Sequence, residues 1–350
     1  MEFVFTEEQQ MIGETAKAFF VENATSERTR KAMAADGIDR DLWSSFCTEL
    51  GLAGIAMPEA YGGAGLGQVE FAMVAEHAGA QVAALPLLGL AMASQAISAG
   101  GSDAQKAKWL PELAGGKIAA CAGTDSLTVD GNTLTGTFEF VAHGGTADMF
   151  VLGDATGAWI VERGSAGVSV SSHMTMDQTR PYATVSLDAV VGDSLADGAK
   201  AMQAAREAGW ICVAAEALGG AQEALDRTVA YAKDRVQFGR AIGSFQAYKH
   251  RLADMMIEIE QARSAVYWAA CAVDEQAADV ALALHAAKSF AADTFFKCAG
   301  DMIQLHGGIG FTWEHDAHLF FKRARAIQSM LGHGNWHREQ VATMILGEAA

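Results

Sequence analysis

Two glycine-containing segments in the second half of the chain carry residue types that hold phosphates and planar rings. Residues 235–246 read Arg-Val-Gln-Phe-Gly-Arg-Ala-Ile-Gly-Ser-Phe-Gln, and residues 304–314 read Gln-Leu-His-Gly-Gly-Ile-Gly-Phe-Thr-Trp-Glu. The guanidinium of Arg235 can grip phosphate oxygens with two parallel donors. Gly307 and Gly308 let backbone N–H groups approach a ligand without a Cβ in the way. Either segment alone also fits a helix that stops at glycine, but the pair predicts a site for a pyrophosphate joined to a planar ring.

The elements that must position these segments follow from hydrophobic periodicity. Apolar residues recur at helical spacing from Thr6, whose Thr-x-x-Gln9 pattern fits a capping box, to about Lys117. Short alternating runs punctuated by Gly, Asp and Asn follow, and they predict strands such as 133–141 and 149–152. Helical periodicity then returns, including 214–229, 248–272 and 277–305. The chain therefore divides into a helical domain (1–117), a small central β-domain (118–197) and a helical bundle (198–350).

The two segments resemble the C-terminal signatures of the acyl-CoA dehydrogenase family, in the right order and at the right separation. Residues 58–67, Pro-Glu-Ala-Tyr-Gly-Gly-Ala-Gly-Leu-Gly, resemble the glycine-rich N-terminal loop of that family, and 320–324, Phe-Phe-Lys-Arg-Ala, resemble the segment before its catalytic loop. The likeness extends over nearly the whole chain. It implies an α+β, mainly helical fold with an N-terminal helical domain, a small central β-domain and a C-terminal four-helix bundle.

The resemblance also implies FAD as the cofactor, with its adenosine end reaching a neighbouring subunit. Arg235 would face the pyrophosphate, and Gln237 and Phe238 would flank it. The adenosine end would be lined by Ile242, Phe245 and Gln246. Gln304, Gly307 and Gly308 would come from the adjacent subunit. For Phe238 and Phe245, ordinary core packing is the alternative.

The ring side of the flavin site departs from the family pattern. Where family members carry Thr-Glu-Pro and then a glycine-serine-aspartate turn, this chain has Thr124, Asp125 and Ser126 and no such turn. Thr124 stays a candidate for flavin contact. Where the family has a Trp-Ile-Thr strand on the flavin, residues 140–142 read Phe-Val-Ala.

The carboxylate that would remove the α-proton of an acyl thioester is missing from both positions where the family places it. Leu331 stands at the position in the catalytic loop, and Gly209 at the position on the preceding helix. Glu216 lies seven residues beyond Gly209, two turns along the same helix face. It is the candidate base, with an ion pair to a local arginine as the alternative. His333, next to Gly332 in the same loop, is a second candidate.

Three functions compete. The favoured one is an FAD-dependent acyl-CoA dehydrogenase subunit that converts an acyl-CoA to the enoyl-CoA only with a longer partner, as in heteromeric enzymes that degrade sterols and related CoA esters. The second is a self-sufficient homomer with an atypical base. The third is a flavin-free structural subunit. The resemblance further implies a homo- or heterotetramer and transfer of electrons to an electron-transfer flavoprotein.

Composition restricts the other possibilities. A formal net charge of −17 opposes unspecific binding to nucleic acid or anionic membrane. Five cysteines without a Cys-x-x-Cys pair favour reduced thiols in a cytoplasmic protein. The late histidines match no standard ligand spacing, so no metal site is expected. The acidic N-terminus does not fit a signal peptide, and no apolar run is long enough to span a bilayer.

Overall fold

The structure is a computed structural model that describes residues 4–347. Its α-helices are α1 Glu7–Asn23, α2 Ser26–Met33, α3 Arg40–Ser44, α4 Gln68–Ala80, α5 Leu87–Gly100, α6 Asp103–Ala114, α7 Gly198–Asp234, α8 Gln246–Asp274, α9 Val280–His306, α10 Ala317–Ser329 and α11 Gly334–Leu346. Its strands are β1 Ala119–Gly123, β2 Thr128–Asp130, β3 Thr133–Ala142, β4 Met149–Gly153, β5 Ala158–Glu162, β6 Val168–Ser172, β7 Tyr182–Val191, β8 Asp193–Ser194, β9 Val236–Gln237 and β10 Arg240–Ala241.

The order of helices, strands and helices confirms the predicted fold class. The first helix begins as its sequence predicts: the Thr6 side chain accepts from the Gln9 backbone N–H, and the Gln9 side chain accepts from the Thr6 backbone N–H. The helical pattern of the N-terminal region ends with α6, and β1 follows five residues later. Between α6 and β1, Gly116 adopts a positive φ of 103°, a conformation that favours glycine.

One compact unit comprises Glu27–Phe71 and Ala84–Cys212 and contains eight strands in two sheets. One sheet has the order β1-β4-β5-β8, in which β1 and β4 are parallel. The other has the antiparallel order β2-β3-β7-β6. Helix α5 lies so close to β1 that a Cβ added at Gly89 would meet the Ala119 carbonyl oxygen at 1.9 Å. Only a residue without a side chain fits there.

The second compact unit comprises Met1–Ser26, Ala72–Ala83 and Val213–Ala350. Helices α8, α10 and α11 all pack on α9. Helix α4 crosses α7 at two glycines, because a Cβ on Gly79 would lie 2.1 Å from the Glu216 carbonyl oxygen and one on Gly219 would lie 1.7 Å from that of Glu76. The same crossing carries a buried polar cluster in which the Glu76 carboxylate accepts from Tyr267 Oη at 2.7 Å. These contacts hold the helices that present the two glycine-containing segments.

Candidate functional site

A surface concavity of about 640 Å³ in the second unit brings both glycine-containing segments together. Six predicted residues line it: Arg235, Gln237, Ile242, Gln304, Gly307 and Gly308. Five further lining residues were not predicted: Tyr231, Tyr248, Leu305, His306 and Ile309. For Tyr231 a signal was available, since it lies four residues, about one helical turn, before Arg235.

Arg235 is placed by the end of α7 and by a tight hairpin. Its N–H donates to the Tyr231 carbonyl at 2.9 Å, and its carbonyl accepts from the Ile242 N–H at 2.8 Å. Between β9 and β10, Phe238 and Gly239 have φ values of 53° and 78°. Two successive positive φ values are typical of the turn that matches the twist of a two-residue hairpin. The hairpin leaves the Arg235 side chain exposed at the rim of the concavity.

The second wall of the concavity is the C-terminal end of α9. Gly307 adopts a positive φ of 63° and closes the helix, and its N–H donates to the Gln304 carbonyl. A Cβ added at Gly307 or Gly308 would meet no atom within 4 Å, so this backbone faces open space. The Tyr248 hydroxyl donates to the Leu305 carbonyl at 2.8 Å and ties α8 to this turn. A ligand in the concavity can therefore approach the backbone closely.

His306 forms the buried floor beside this turn. Its ring stacks on Tyr231 with 4.5 Å between centroids, and its centroid also lies 4.5 Å from that of the tilted His315 ring. Its Nδ1 is 2.7 Å from the Met302 carbonyl, which can only accept, so Nδ1–H is the donor. Burial lowers the pKa of His306. The imidazole is therefore neutral at pH 7, and its Nε2 carries a lone pair.

Four predicted cofactor residues do not line the concavity. The Phe238 side chain is 93% exposed at the hairpin tip. The Phe245 ring packs under the Arg240 guanidinium, 4.0 Å from its centroid, and Gln246 begins α8. Thr124 lies in the other compact unit, where its N–H donates to the Gly153 carbonyl and its hydroxyl bonds to that of Ser126. Their predicted roles toward FAD stay predictions.

The two segments were expected to serve FAD from different subunits. In the chain they are not apart: Arg235, Gln237 and Ile242 share one concavity with Gln304 and the two glycines. The physical reason is that α7 ends, α8 begins and α9 ends near one another within one compact unit. A single subunit thus presents both segments at one concavity, and the prediction that they contact FAD from different subunits stays a prediction.

Glu216 lies in the interior of the second unit. Only 2% of the residue is exposed, and Oε1 lies 3.7 Å from Nη1 of Arg323, which is equally buried. Arg323 Nη2 also donates to the Ala83 carbonyl at 3.4 Å. This arrangement suits the structural ion pair better than a base that must reach a substrate proton.

The loop that contains Leu331, one of the two positions where the family resemblance places a base, has an unusual backbone. Leu331 and Gly332, between α10 and α11, have φ values of 52° and 105°. The left-handed conformation costs a leucine about 1–3 kcal/mol and persists only where surrounding contacts impose it. Gly209, at the remaining position, is buried within α7.

Residues 4–347 contain neither a cluster of metal ligands nor a membrane-spanning helix. In that range no group of three or more His, Cys, Asp or Glu side chains is arranged to hold a metal ion. No helix there combines the length and the apolar surface that crossing a bilayer requires.

Comparison with known proteins identifies the family. The model for the N-terminal domain of acyl-CoA dehydrogenase matches residues 6–117, and that for its C-terminal domain matches 196–346. The chain is 36% identical over 333 residues to the acyl-CoA dehydrogenase IpdE2 of Mycolicibacterium smegmatis, covering 93% of this chain and 95% of the relative. Among solved structures, the ChsE4-ChsE5 complex from Mycobacterium tuberculosis matches with a TM-score of 0.92 and 27% identity over 100% of both chains. The structure of a variant of the Tcur3481-Tcur3483 steroid ACAD matches with a TM-score of 0.87 and 30% sequence identity, and the match covers 97% of this chain and 98% of that one. The chain therefore belongs to the acyl-CoA dehydrogenase family, whose members are FAD-dependent flavoprotein oxidoreductases of lipid metabolism.

Proposed function

We propose that this chain is a subunit of a heteromeric acyl-CoA dehydrogenase that introduces a double bond between the α and β carbons of an acyl-CoA thioester. The chain would supply the concavity at Arg235 to a shared FAD site, and a longer partner of the same family would supply the base. One observation carries this proposal. The concavity keeps its arginine and its glycine turn, while Leu331 and Gly209 leave both base positions without a carboxylate.

The residues of the concavity suit a dinucleotide pyrophosphate. The exposed Arg235 guanidinium offers several N–H donors in a planar fork. The open backbone at Gly307 and Gly308 offers room where a side chain would intrude. Burial raises the pKa of Tyr248 to about 12, so its phenol stays neutral beside a phosphate. Bound FAD would supply a ring that accepts a hydride from the β carbon.

Exposed apolar side chains beside the concavity support a shared site. Phe238 is 93% exposed, Phe311 87%, Trp313 69% and Val236 56%. All four lie in or next to the two glycine-containing segments. Large apolar side chains grouped at a polar rim are typical of surfaces that another protein covers. A partner subunit seated there would enclose the ligand.

The relatives support the choice of partner and substrate. One matching structure is a complex of two named chains, ChsE4 and ChsE5, and another is described as a steroid ACAD. By analogy, we propose a partner of the same fold and a bulky, steroid-derived acyl-CoA as substrate. Electrons would pass to an electron-transfer flavoprotein.

We also propose that the three domains meet at about residues 117 and 197 and that the protein acts in the cytoplasm.

The self-sufficient homomer is the second candidate. It needs a base within this chain, and the buried pairing of Glu216 with Arg323 weakens the first choice for that role. His333 is exposed in the loop and remains available to a substrate. A flavin-free scaffold, the third candidate, leaves the arginine and open glycine turn of the concavity without a purpose.

Flavin content and reduction distinguish the three candidates. The chain is purified alone and co-expressed with a longer family member that has an intact catalytic glutamate, and flavin per chain is measured by absorbance. Anaerobic titration with a steroid-derived acyl-CoA follows. We expect little flavin alone, and full loading with bleaching only in the complex. A fully loaded chain that bleaches alone would establish the homomer, and no flavin in either preparation would favour the scaffold. A partner variant without its glutamate is the control, and it should load flavin without bleaching.

A further inference from the structure

The loop Met330–His333, between α10 and α11, is held from inside the protein by Lys288 of α9. Lys288 is fully buried. Its ammonium donates to the carbonyl of Gly332 in the loop, and it lies 3.4 Å from the carbonyl of Gln328 in the last turn of α10. A positive charge at that end of a helix is favourable, because unpaired carbonyls concentrate negative charge there. One side chain thus ends the helix and fixes the loop that follows it.

His337 of α11 holds the same loop from a second direction. Its Nε2 lies 3.1 Å from the Leu331 carbonyl, and its Nδ1 lies 2.8 Å from Nδ1 of His285. Because a carbonyl only accepts, His337 Nε2 must carry a hydrogen. In the neutral ring Nδ1 is then a bare acceptor, so His285 Nδ1–H is the donor. The bond from His285 therefore requires a neutral His337, because a second proton on Nδ1 would face the His285 donor and add a buried positive charge near Lys288.

These contacts account for the left-handed backbone of the loop. Leucine does not adopt a φ of 52° without outside constraint, and the carbonyls of Leu331 and Gly332 are the atoms that His337 and Lys288 bind. A side chain at Gly332 would be strained by its φ of 105°, and a Cβ there would lie 2.7 Å from Cε3 of Trp336 and 2.8 Å from Nε2 of His337. Hydrogen bonds from Lys288 and His337 therefore fix the backbone of the loop.

We propose that Lys288 and His337 are positioning residues that fix the loop Met330–His333, and that this loop loosens when His337 gains a second proton. The inference goes beyond the proposed function and does not need it, because the contacts lie within one chain. It concerns the loop in which the family resemblance places the catalytic base.

The direction of the pH effect follows from the charges around His337. Burial, with smaller contributions from Lys288 and His285 of α9, lowers its pKa to about 4. The Leu331 carbonyl opposes this shift, and Arg338 on α11, itself bound to Asp293 of α9, adds a weaker positive charge. The neutral ring is thus the form that the fold favours. The loop should be fully held above about pH 6.5 and released as the pH falls through about 4.

Hydrogen exchange of the loop tests the proposal on the chain alone, without flavin or acyl-CoA, so its outcome is independent of the proposed function. Mass spectrometry gives protection factors for the amides of residues 330–337, each divided by that of the α9 amides 284–295. The variants are Lys288→Met, His337→Gln and His337→Phe. Gln can donate from the position of Nε2 but does not titrate. Lys297→Met is the matched control, because Lys297 lies on α9 at the surface, paired with Glu258.

At pH 7 we expect loop protection to fall about tenfold or more in Lys288→Met and His337→Phe, and to be unchanged in Lys297→Met. Between pH 7 and 4 the wild-type loop should lose protection, while His337→Gln should hold it within about threefold. Equal protection in Lys288→Met and Lys297→Met would overturn the role of Lys288. An equal loss with pH in the wild type and His337→Gln would overturn that of His337. If His337→Phe does not fold, the other variants still decide.

Discussion

The carboxylate of Glu216 on α7 faces the guanidinium of Arg323 on α10 at 3.7 Å, and both side chains are at most 3% exposed. Charges buried this completely are shielded from water, and the attraction between them helps to offset the cost of burying them. A base that removes a substrate proton must instead reach that proton. Substitution of Glu216 therefore distinguishes a structural role of this residue from a catalytic one.

Glu216→Gln should lower the free energy of unfolding by about 3–5 kcal/mol, because it removes the negative charge that faces the buried Arg323 guanidinium. Turnover of the assembled enzyme, per folded molecule, should persist. Denaturant unfolding and steady-state assays measure the two effects. The control is Glu223→Gln, on the same helix but in a partly exposed pair with Arg227, and it should cost at most about 1 kcal/mol. Lost turnover with unchanged stability would instead identify Glu216 as the base.

Arg235→Ala should weaken FAD binding at least about tenfold, since it removes charge-assisted hydrogen bonds worth about 1.5–3 kcal/mol. The melting temperature of the flavin-free chain should hardly change, because the Arg235 side chain is exposed. Flavin retention is measured by equilibrium dialysis of the complex. Arg240→Ala, in the same hairpin but outside the concavity, is the control. Equal losses of affinity and stability would make Arg235 a structural residue.

The sequence predicted the elements because their signals are local. Periodicity and a capping box lie within a few residues of one another, and the capping box at Thr6 forms as predicted. The left-handed backbone of Phe238 and Leu331 had no such signal, since neither residue type favours a positive φ. In both cases the surrounding fold decides the conformation.

The candidate site was predictable where a motif carried it and not elsewhere. Nine residues of the two segments line the concavity, six of them as predicted, but Tyr231 and Tyr248 join them from α7 and α8 through packing. Lys288 was unpredictable for the same reason: a lysine on a helix is expected in solvent, and only the approach of the loop carbonyls makes its burial possible. Residues that are far apart in sequence meet through packing, and the spacing of residues along the chain does not reveal which of them will meet.

Buried cysteines should resist alkylation. Burial raises the pKa of Cys47 and Cys298 to about 12, so at pH 8 roughly one thiol in ten thousand is ionised. We expect iodoacetamide to modify Cys271, which is partly exposed, well before either of them. Peptide mass spectrometry over time gives the order, and the urea-unfolded chain is the control in which all react alike. Rapid labelling of Cys47 in the native chain would reveal local opening around it.

The crossing of α4 and α7 should tolerate no added methyl group. Gly219→Ala would place a Cβ 1.7 Å from the Glu76 carbonyl oxygen, and because both atoms are bound to helix backbone, the helices must separate. We expect a loss of about 1–3 kcal/mol or more in the free energy of unfolding. Gly300→Ala is the matched control within α9, where the nearest atom would be 3.9 Å away. There alanine should stabilise the helix by up to about 1 kcal/mol, since it restricts the unfolded backbone.

Denaturant unfolding of both variants measures this difference, and flavin loading of the complex shows whether the crossing also supports the concavity at the far end of α7. Because Gly219 lies on α7, which ends at Asp234 directly before Arg235, a displacement of the helix at the crossing should also move the hairpin that follows it. Gly219→Ala should therefore lose FAD affinity together with stability, whereas Arg235→Ala should lose affinity alone. Equal stability of Gly219→Ala and Gly300→Ala would mean that the helices are not in contact at this point.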